Sequence, residues 1–335
     1  MSAAPATERT AGARVAPVWL ALLAGPLSFG ITGPTLVLSD IAHDLGVSLA
    51  GAASVVTAFG WGIAVGTPLA GGLLARRGLR TSLLVAALLV VAGSVLVAAV
   101  PVLVALVVGS ALQALGAAGL TVAALSMAGS PAAMGTVTAS LAMFGSVAPL
   151  VGTQVAAAWG WPVTLVLPLL ALLAVPVALR ATPSGTATPG DWFDLAGAVL
   201  LVAWVTALVM LPQRPVAAVI AVLVLTVLLA GHLRRRPTGF VPVELVRAPQ
   251  FLVAAGLALV LAVVNFGIVY AAPVMVAALT GWTSTQLGLA CSSCWRSDSD
   301  ACRTRSLELS TGSGPPSVRI PAWRSSWPCW WSWCC

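Results

Sequence analysis

The sequence predicts an all-α protein that crosses a membrane many times. Of its 335 residues, 59% are hydrophobic and only 7% are charged, whereas a soluble protein carries about 25% charged residues. The hydrophobic residues form blocks of about twenty, which is the length of helix that spans a hydrocarbon core of ~30 Å. Blocks such as residues 81–100 lack the two-residue alternation of a membrane β-strand. A soluble fold and a transmembrane β-barrel are therefore both excluded.

Nine such blocks predict nine transmembrane helices, which we number as spans one to nine. They cover residues 16–38, 52–74, 81–99, 102–124, 134–157, 162–179, 194–212, 216–233 and 251–279. Prolines inside several spans predict kinks, because a proline leaves a helix carbonyl without its usual donor. These prolines are Pro26, Pro34, Pro68, Pro149 and Pro273.

The distribution of arginine predicts the orientation of the chain. All sixteen basic residues are Arg, and the net charge is +7. With a cytoplasmic N-terminus, ten Arg of the first 290 residues lie in inside loops and only Arg214 lies outside, as the positive-inside rule requires. We therefore expect a multi-pass protein of the cell (inner) membrane with its N-terminus in the cytoplasm. Arg clusters between apolar blocks are not the pattern of a nucleic-acid-binding surface, so no nucleic-acid partner is expected.

The composition of the connecting segments predicts how the chain is divided. Residues 181–193, between spans six and seven, are rich in Pro, Gly, Ser and Thr, which is typical of a flexible linker. The predicted regions are a cytoplasmic tail at 1–15, a six-helix bundle at 16–180, the cytoplasmic linker at 181–193, spans seven and eight at 194–233, a cytoplasmic loop at 234–250, span nine at 251–290 as the start of an incomplete second half, and a tail at 291–335.

Residues 291–335 differ in composition from the rest of the chain. They contain all six Cys and six of the thirteen Trp. Cys291 and Cys294 form a CxxC pair, but neither a second pair at zinc-finger spacing nor a His follows, which argues against a metal site. GC-rich codons for residues 327–335 encode an apolar run when they are read one base earlier. We therefore expect that a single-base slip near Leu289 has placed this tail out of frame.

The loop between spans two and three carries a motif. It reads GGLLARRGLR and resembles the pattern G-x-L-A-D-R-x-G-R-R of the major facilitator superfamily. The matching residues are Gly71, Leu73, Arg76, Gly78 and Arg80, while the Asp of the pattern falls on Ala75. Glycines permit a tight turn, and arginines can meet helix-end carbonyls and carboxylates in one end state. The resemblance thus implies a conformational-switch loop within a major facilitator-type helical bundle; a simple positive-inside anchor is the alternative.

Two spans resemble further motifs of the same superfamily. In span four, SALQALGAA keeps Gln113 and Gly116 of the pattern R-x-x-Q-G-x-G-A-A, and Ser110 replaces its Arg. In span five, FGSVAPLVGT keeps Pro149 and Gly152 of the antiporter motif G-P-x-x-G-G. Small residues at such spacing also serve ordinary helix packing, so each match is weak when taken alone.

The later part of the chain indicates a particular branch of the superfamily. Residues 191–201, 234–251 and 266–290 resemble spans seven to nine of the fourteen-helix drug:proton antiporters, also known as multidrug efflux proteins. The span-one string FGITGPTLVL resembles the drug-exporter pattern, although the Asp and Asn of that pattern fall on Gly30 and Thr35. The resemblance covers roughly residues 16–290, and it implies that five helices are absent.

The resemblance implies a secondary active transporter that exports hydrophobic small molecules or drugs by alternating access. Its partners would be a small hydrophobic substrate and the lipid bilayer, with no cofactor, no metal and no obligate protein partner. Proton coupling is left open, because no charged residue falls at the mid-depth of a span. The first alternative is a non-transporting truncated fragment of such a transporter. The more distant alternative is a membrane enzyme, but the spans offer no metal cluster, carboxylate pair or nucleophile with a base, so we do not expect an enzyme.

Neutral polar side chains within the spans are the candidates for lining a substrate path. Such a surface suits a hydrophobic substrate, which is recognised by apolar area and a few polar contacts. The alternative is that the same side chains form hydrogen bonds between helices. The candidates are Ser28, Thr32, Thr57, Trp61, Gln113, Gln154, Asn265 and Tyr270.

Overall fold

The computed structural model describes residues 15–182, 194–211, 214–235 and 249–280. Within these ranges the chain forms helices joined by short turns, and no β-strand occurs among them. The predicted all-α fold class is therefore confirmed. The predicted tail at 291–335 lies outside the described residues, as do nearly all of the N-terminal tail and most of the linker and of the loop at 234–250.

Six of the described helices are long and apolar enough to cross a membrane. They are Pro17–Leu36, Leu49–Ala99, Leu103–Met127, Pro131–Trp159, Trp161–Ala181 and Pro215–Arg235. Two shorter apolar segments, Ala196–Val209 and Leu252–Val264, lie in the helices Leu195–Val209 and Pro249–Thr280. Since Leu49–Ala99 contains both span two and span three, each predicted span coincides with a described helix.

A break at Gly78 separates span two from span three. The helix Leu49–Ala99 has 51 residues and would be about 75 Å long if straight, far more than a bilayer needs. Gly78 is buried and adopts φ 79° and ψ 170°, a conformation that side chains with a Cβ rarely adopt. The turn expected from the loop motif therefore depends on Gly78. At Gly71, by contrast, a Cβ would meet open space.

Spans one and six are not regular α-helices. In span one, the 3₁₀ segments Gly25–Ser28 and Gly33–Leu36 each carry a proline in their first two positions. In span six, the segment Leu167–Ala174 is also 3₁₀ and also has a proline there. Proline cannot donate the hydrogen bond that continues an α-helix, and short 3₁₀ turns accommodate that loss. The irregularities predicted at Pro26 and Pro34 are therefore present.

Span four lies in backbone contact with spans two and three. A Cβ placed on Gly116 of span four would come within 2.5 Å of the Ala86 carbonyl oxygen of span three. A Cβ on Gly62 of span two would lie 2.7 Å from the Ala111 carbonyl oxygen of span four. Because lipid tails are as apolar as leucine, close approach through small residues is how membrane helices gain packing energy. These glycines therefore fix the position of span four between its two neighbours.

By its contacts, the chain divides into two compact units. Residues 1–270 form the first unit and residues 271–335 the second. The first unit contains spans one to eight and the start of the helix Pro249–Thr280. Of the second unit, the structure describes residues 271–280, which are the end of the same helix.

Candidate functional site

Two hydroxyl groups of span one bond to the backbone of span five. The Ser28 hydroxyl donates to the Leu141 carbonyl at 2.9 Å, and the Thr32 hydroxyl donates to the Gly145 carbonyl at 2.9 Å. Thr32 also lies 3.2 Å from the carbonyl oxygen of Ser28. Both predicted lining residues therefore have partners on a neighbouring helix, as the packing interpretation of these side chains expects.

Pro149 explains why the Gly145 carbonyl is available to Thr32. Pro149 lies inside the helix Pro131–Trp159, and it has no N–H with which to bond the carbonyl four residues earlier, which is that of Gly145. The Thr32 hydroxyl supplies the missing donor from span one. Thr32 and Pro149, which were picked out separately in two spans, thus act on the same carbonyl, that of Gly145.

Gly152, the second residue kept from the antiporter motif, is a point of close contact. A Cβ on Gly152 would lie 2.6 Å from the Gly33 carbonyl oxygen of span one. The Thr164 hydroxyl of span six donates to the Gly152 carbonyl at 3.1 Å. Spans one, five and six therefore meet at Gly152, and a larger residue there would force span one away from span five.

Gln113 connects three helices. Its side chain is 2% exposed, and its amide nitrogen donates to the Ser94 hydroxyl at 2.7 Å and to the Leu165 carbonyl at 3.0 Å. These bonds join span four to spans three and six. In this structure the amide group is satisfied by protein partners inside the bundle.

The other candidates on spans two and five have more open surroundings. Trp61 is half-buried, and its indole N–H donates to the Thr206 hydroxyl of span seven at 2.9 Å. Thr57 is exposed and donates to the Ala53 carbonyl of its own helix at 3.1 Å. Gln154 is exposed on span five. The side chains of the remaining two candidates, Asn265 and Tyr270, lie outside the described residues.

The loop at Gly71–Arg80 exposes part of its basic surface. Arg76 is half-buried, whereas Ala75 and Arg80 are exposed. Arg76 and Arg80 both take part in interactions. Leu73 is half-buried at the end of span two. The loop is thus a turn at Gly78 flanked by arginines that already have partners.

A close pair at the ends of spans seven and eight was not predicted from the sequence. His232 Nε2 lies 2.8 and 3.1 Å from the two carboxylate oxygens of Asp194. Asp194 is only 5% exposed, and it also accepts the Gly197 backbone N–H at 3.1 Å as the N-cap of its helix. The sequence did contain a signal for this pair. The short connection between spans seven and eight makes them antiparallel neighbours, so Asp194 at the start of span seven is expected beside His232 in the last turn of span eight.

Charged groups of the described residues lie at the ends of the spans. Asp40, His43 and Asp44 belong to the helix Leu38–Leu45 that follows span one, and the Trp161 indole donates to Asp44 at 2.6 Å. The described part of the chain holds no group of three His, Cys, Asp or Glu side chains that could bind a metal ion. The middle of the described spans is accordingly neutral.

These features define an integral membrane protein built from closely packed apolar helices with a neutral interior. The family model of the Major Facilitator Superfamily matches residues 18–295, which is most of the chain. The chain therefore belongs to the Major Facilitator Superfamily and is a membrane transporter of that superfamily. No curated protein matches the chain.

Proposed function

We propose that this transporter exports hydrophobic small molecules by alternating access. The supporting observation is the neutral interior of the described spans, where charged side chains lie only at the helix ends. A charge at the bilayer centre costs at least about 2.5 kcal/mol on insertion scales and is retained where ions or protons pass. A neutral path instead suits a substrate that is recognised by apolar area. The direction of transport is proposed from the resemblance of the later segments to drug:proton antiporters.

The proposed substrate contacts are Thr57 of span two and Gln154 of span five. Both side chains are exposed, and Thr57 bonds within its own helix. Ser28, Thr32 and Gln113, by contrast, donate to neighbouring helices. Side chains held between helices cannot reorganise around a substrate without breaking the packing. Thr57 and Gln154 are therefore the first residues to test.

Reconstituted vesicles test the proposal directly. The full chain is inserted into liposomes, and the efflux of a lipophilic cation is followed with and without a pH gradient. We expect saturable, protein-dependent efflux, and Thr57→Val or Gln154→Leu should raise the KM for the cation by several-fold with little change in protein amount. Efflux that depends on the gradient would add proton coupling to the proposal.

Span two provides a matched control. Thr67 is also exposed and donates to a carbonyl of its own helix, that of Ile63, at 2.8 Å. It lies ten residues from Thr57, which places it about 15 Å away along the helix and about 80° around its axis. Thr67→Val should leave the KM unchanged. Equal effects at both threonines, or no protein-dependent efflux at all, would contradict the proposal.

A non-transporting fragment of such a transporter is the second candidate. It is favoured by the abrupt change in composition at residue 291 and by the described side chains of Leu252–Val264 in span nine, which are exposed except for the half-buried Ala262. Sequencing of the encoding DNA decides whether residues 291–335 are out of frame. An intact frame together with transport by this chain would eliminate the second candidate.

We also propose that the protein resides in the cell (inner) membrane with a cytoplasmic N-terminus. The arginine distribution supports this orientation. On this proposal, the Asp194–His232 pair and the Gly78 turn lie on the cytoplasmic side, whereas Asp44 and Trp161 lie on the outer side.

A further inference from the structure

A chain of hydrogen bonds links span two to span seven and span seven to span eight. The Trp61 indole N–H of span two donates to the Thr206 hydroxyl at 2.9 Å, and that hydroxyl donates to the Val202 carbonyl of its own helix at 2.7 Å. The contact therefore uses both hydrogen-bonding roles of one hydroxyl. Such a doubly engaged hydroxyl has a fixed orientation toward the indole.

The same arrangement recurs one helix further along. The Trp204 indole N–H of span seven donates to the Thr226 hydroxyl of span eight at 2.9 Å, and Thr226 donates to the Val222 carbonyl at 2.7 Å. Each tryptophan thus bonds to a threonine whose hydroxyl is held by the carbonyl four residues before it. Spans two, seven and eight are joined in series by two equivalent bonds.

The Asp194–His232 pair joins spans seven and eight at the open end of their hairpin. A Cβ on Gly197 would lie 2.6 Å from the Asp194 carboxylate and 3.2 Å from the His232 ring, so the glycine gives the pair its room. Ala198, Val205 and Ala207 of span seven are buried as well. The hairpin is therefore held at its open end by Asp194 and His232 and near its middle by Trp204 and Thr226, while Trp61 connects it to the six-helix bundle.

We propose that spans seven and eight are clamped to span two and move with spans one to six as a single body. Hydrogen bonds join spans two, seven and eight, whereas the described side chains of Leu252–Val264 in span nine are exposed except for the half-buried Ala262. The first compact unit, residues 1–270, contains spans one to eight together with the start of the span-nine helix. Composition suggested instead that the chain flexes at the linker 181–193. On the present proposal, which rests on the proposed alternating-access cycle, the two moving bodies are divided after span eight. Trp61 then acts as a positioning residue for the hairpin.

A double-mutant cycle tests the clamp without any transport assay. Trp61→Phe removes the indole N–H and keeps an aromatic ring, and Thr206→Val keeps the shape of threonine without the hydroxyl. We expect each change to lower the Tm in detergent, and the double variant to lose less than the sum of the two. Trp204→Phe with Thr226→Val should behave in the same way, whereas Trp61→Phe with Thr226→Val should be additive. Additive losses for Trp61 with Thr206 would overturn the clamp.

Spin-label distances test whether the clamped spans move together. The six native Cys are first changed to Ser. One labelled pair, 159–216, carries Trp159→Cys and Val216→Cys, and the other, 159–253, carries Trp159→Cys and Val253→Cys. The three native side chains are 73%, 74% and 72% exposed. We expect one narrow 159–216 distance, unchanged when the lipophilic cation is added, and a broader one in Thr206→Val. A 159–216 distance that is already broad, or that shifts with the cation, would overturn the proposal.

The 159–253 pair separates this proposal from the proposed function. A change in the 159–253 distance on addition of the cation, with the 159–216 distance constant, places the division after span eight as proposed. If the 159–253 distance never changes and no efflux occurs, the transport cycle fails. The clamp is then still decided by the double-mutant cycle and by the width of the 159–216 distance.

Discussion

Replacing Thr32 with valine should have an effect that depends on the residue at position 149. The Thr32 hydroxyl donates to the Gly145 carbonyl at 2.9 Å, which Pro149 leaves without its helical donor. In Pro149→Ala, the new backbone N–H can bond this carbonyl directly. Thr32→Val should therefore be costly with Pro149 present and nearly neutral with alanine in its place.

The structure sets the expected magnitude. Thr32 is 8% exposed, so its loss leaves a buried carbonyl without a donor, which costs about 1–3 kcal/mol. In Pro149→Ala the remaining loss is the weaker contact to the Ser28 carbonyl at 3.2 Å, worth about 0.5 kcal/mol or less. Interhelical hydrogen bonds in membranes show coupling energies of about 0.6 kcal/mol on average and about 1.7 kcal/mol at most. We expect a coupling energy between these two values.

Unfolding by SDS titration in mixed micelles measures the four free energies of this cycle. Thr57→Val is the matched control, because Thr57 is exposed and bonds only within its own helix in the described contacts. It should show no coupling to Pro149→Ala. If Thr32→Val costs the same in both backgrounds to within about 0.4 kcal/mol, Pro149 does not determine the partner of Thr32, and the reasoning is refuted.

Three further predictions test the packing and the orientation. Gln113→Leu should destabilise the protein by about 1–3 kcal/mol because two buried partners lose their donor. Gln154→Leu at an exposed site should cost less than about 0.5 kcal/mol. Equal losses of unfolding free energy in the same SDS titration would contradict the assigned roles. Gly116→Ala should cost about 1–3 kcal/mol through its clash with span three. Gly60→Ala, where a Cβ meets open space, should instead stabilise its helix by about 0.5–1 kcal/mol. The opposite order of the two Tm values would exclude the backbone contact between Gly116 and span three. Single cysteines tested with an impermeant thiol reagent on intact cells should be labelled only on the outer side, and the reverse pattern would overturn the orientation. The outer positions are 43, 100, 159 and 213, and the inner positions are 76, 186 and 236.

The course of the chain could be predicted because its signals are local. An apolar block of about twenty residues predicts a spanning helix wherever it lies, and each predicted span coincides with a described helix. The turn at Gly78 was also predictable, since a glycine in the short loop between two spans is the natural place for positive φ. The role expected for Gly71 was less specific, because the motif shows where glycines lie and not which of them the backbone requires.

Partners across helices could not be predicted, because they depend on helix rotation. The sequence shows that Pro149 must leave the Gly145 carbonyl without a donor, but it does not show that Thr32 of span one supplies one. It likewise places Asp194 and His232 at neighbouring helix ends without giving their 2.8 Å contact. A rotation of either helix by one residue turns its side chains by about 100°, which is enough to break such a pair.

Four of the motif residues kept in this chain act through the backbone. Gly116 and Gly152 allow two helices to approach closely, Pro149 frees a carbonyl, and Gly78 makes a turn. Charged positions of the same motifs have become neutral at Ala75 and Ser110, whereas Arg76 and Arg80 are kept. Loss of a charge removes a coupling or switching contact, while loss of a glycine in backbone contact forces two packed helices apart. A requirement for the bundle alone would therefore keep Gly78, Gly116, Pro149 and Gly152, but it does not require a charge at positions 75 and 110.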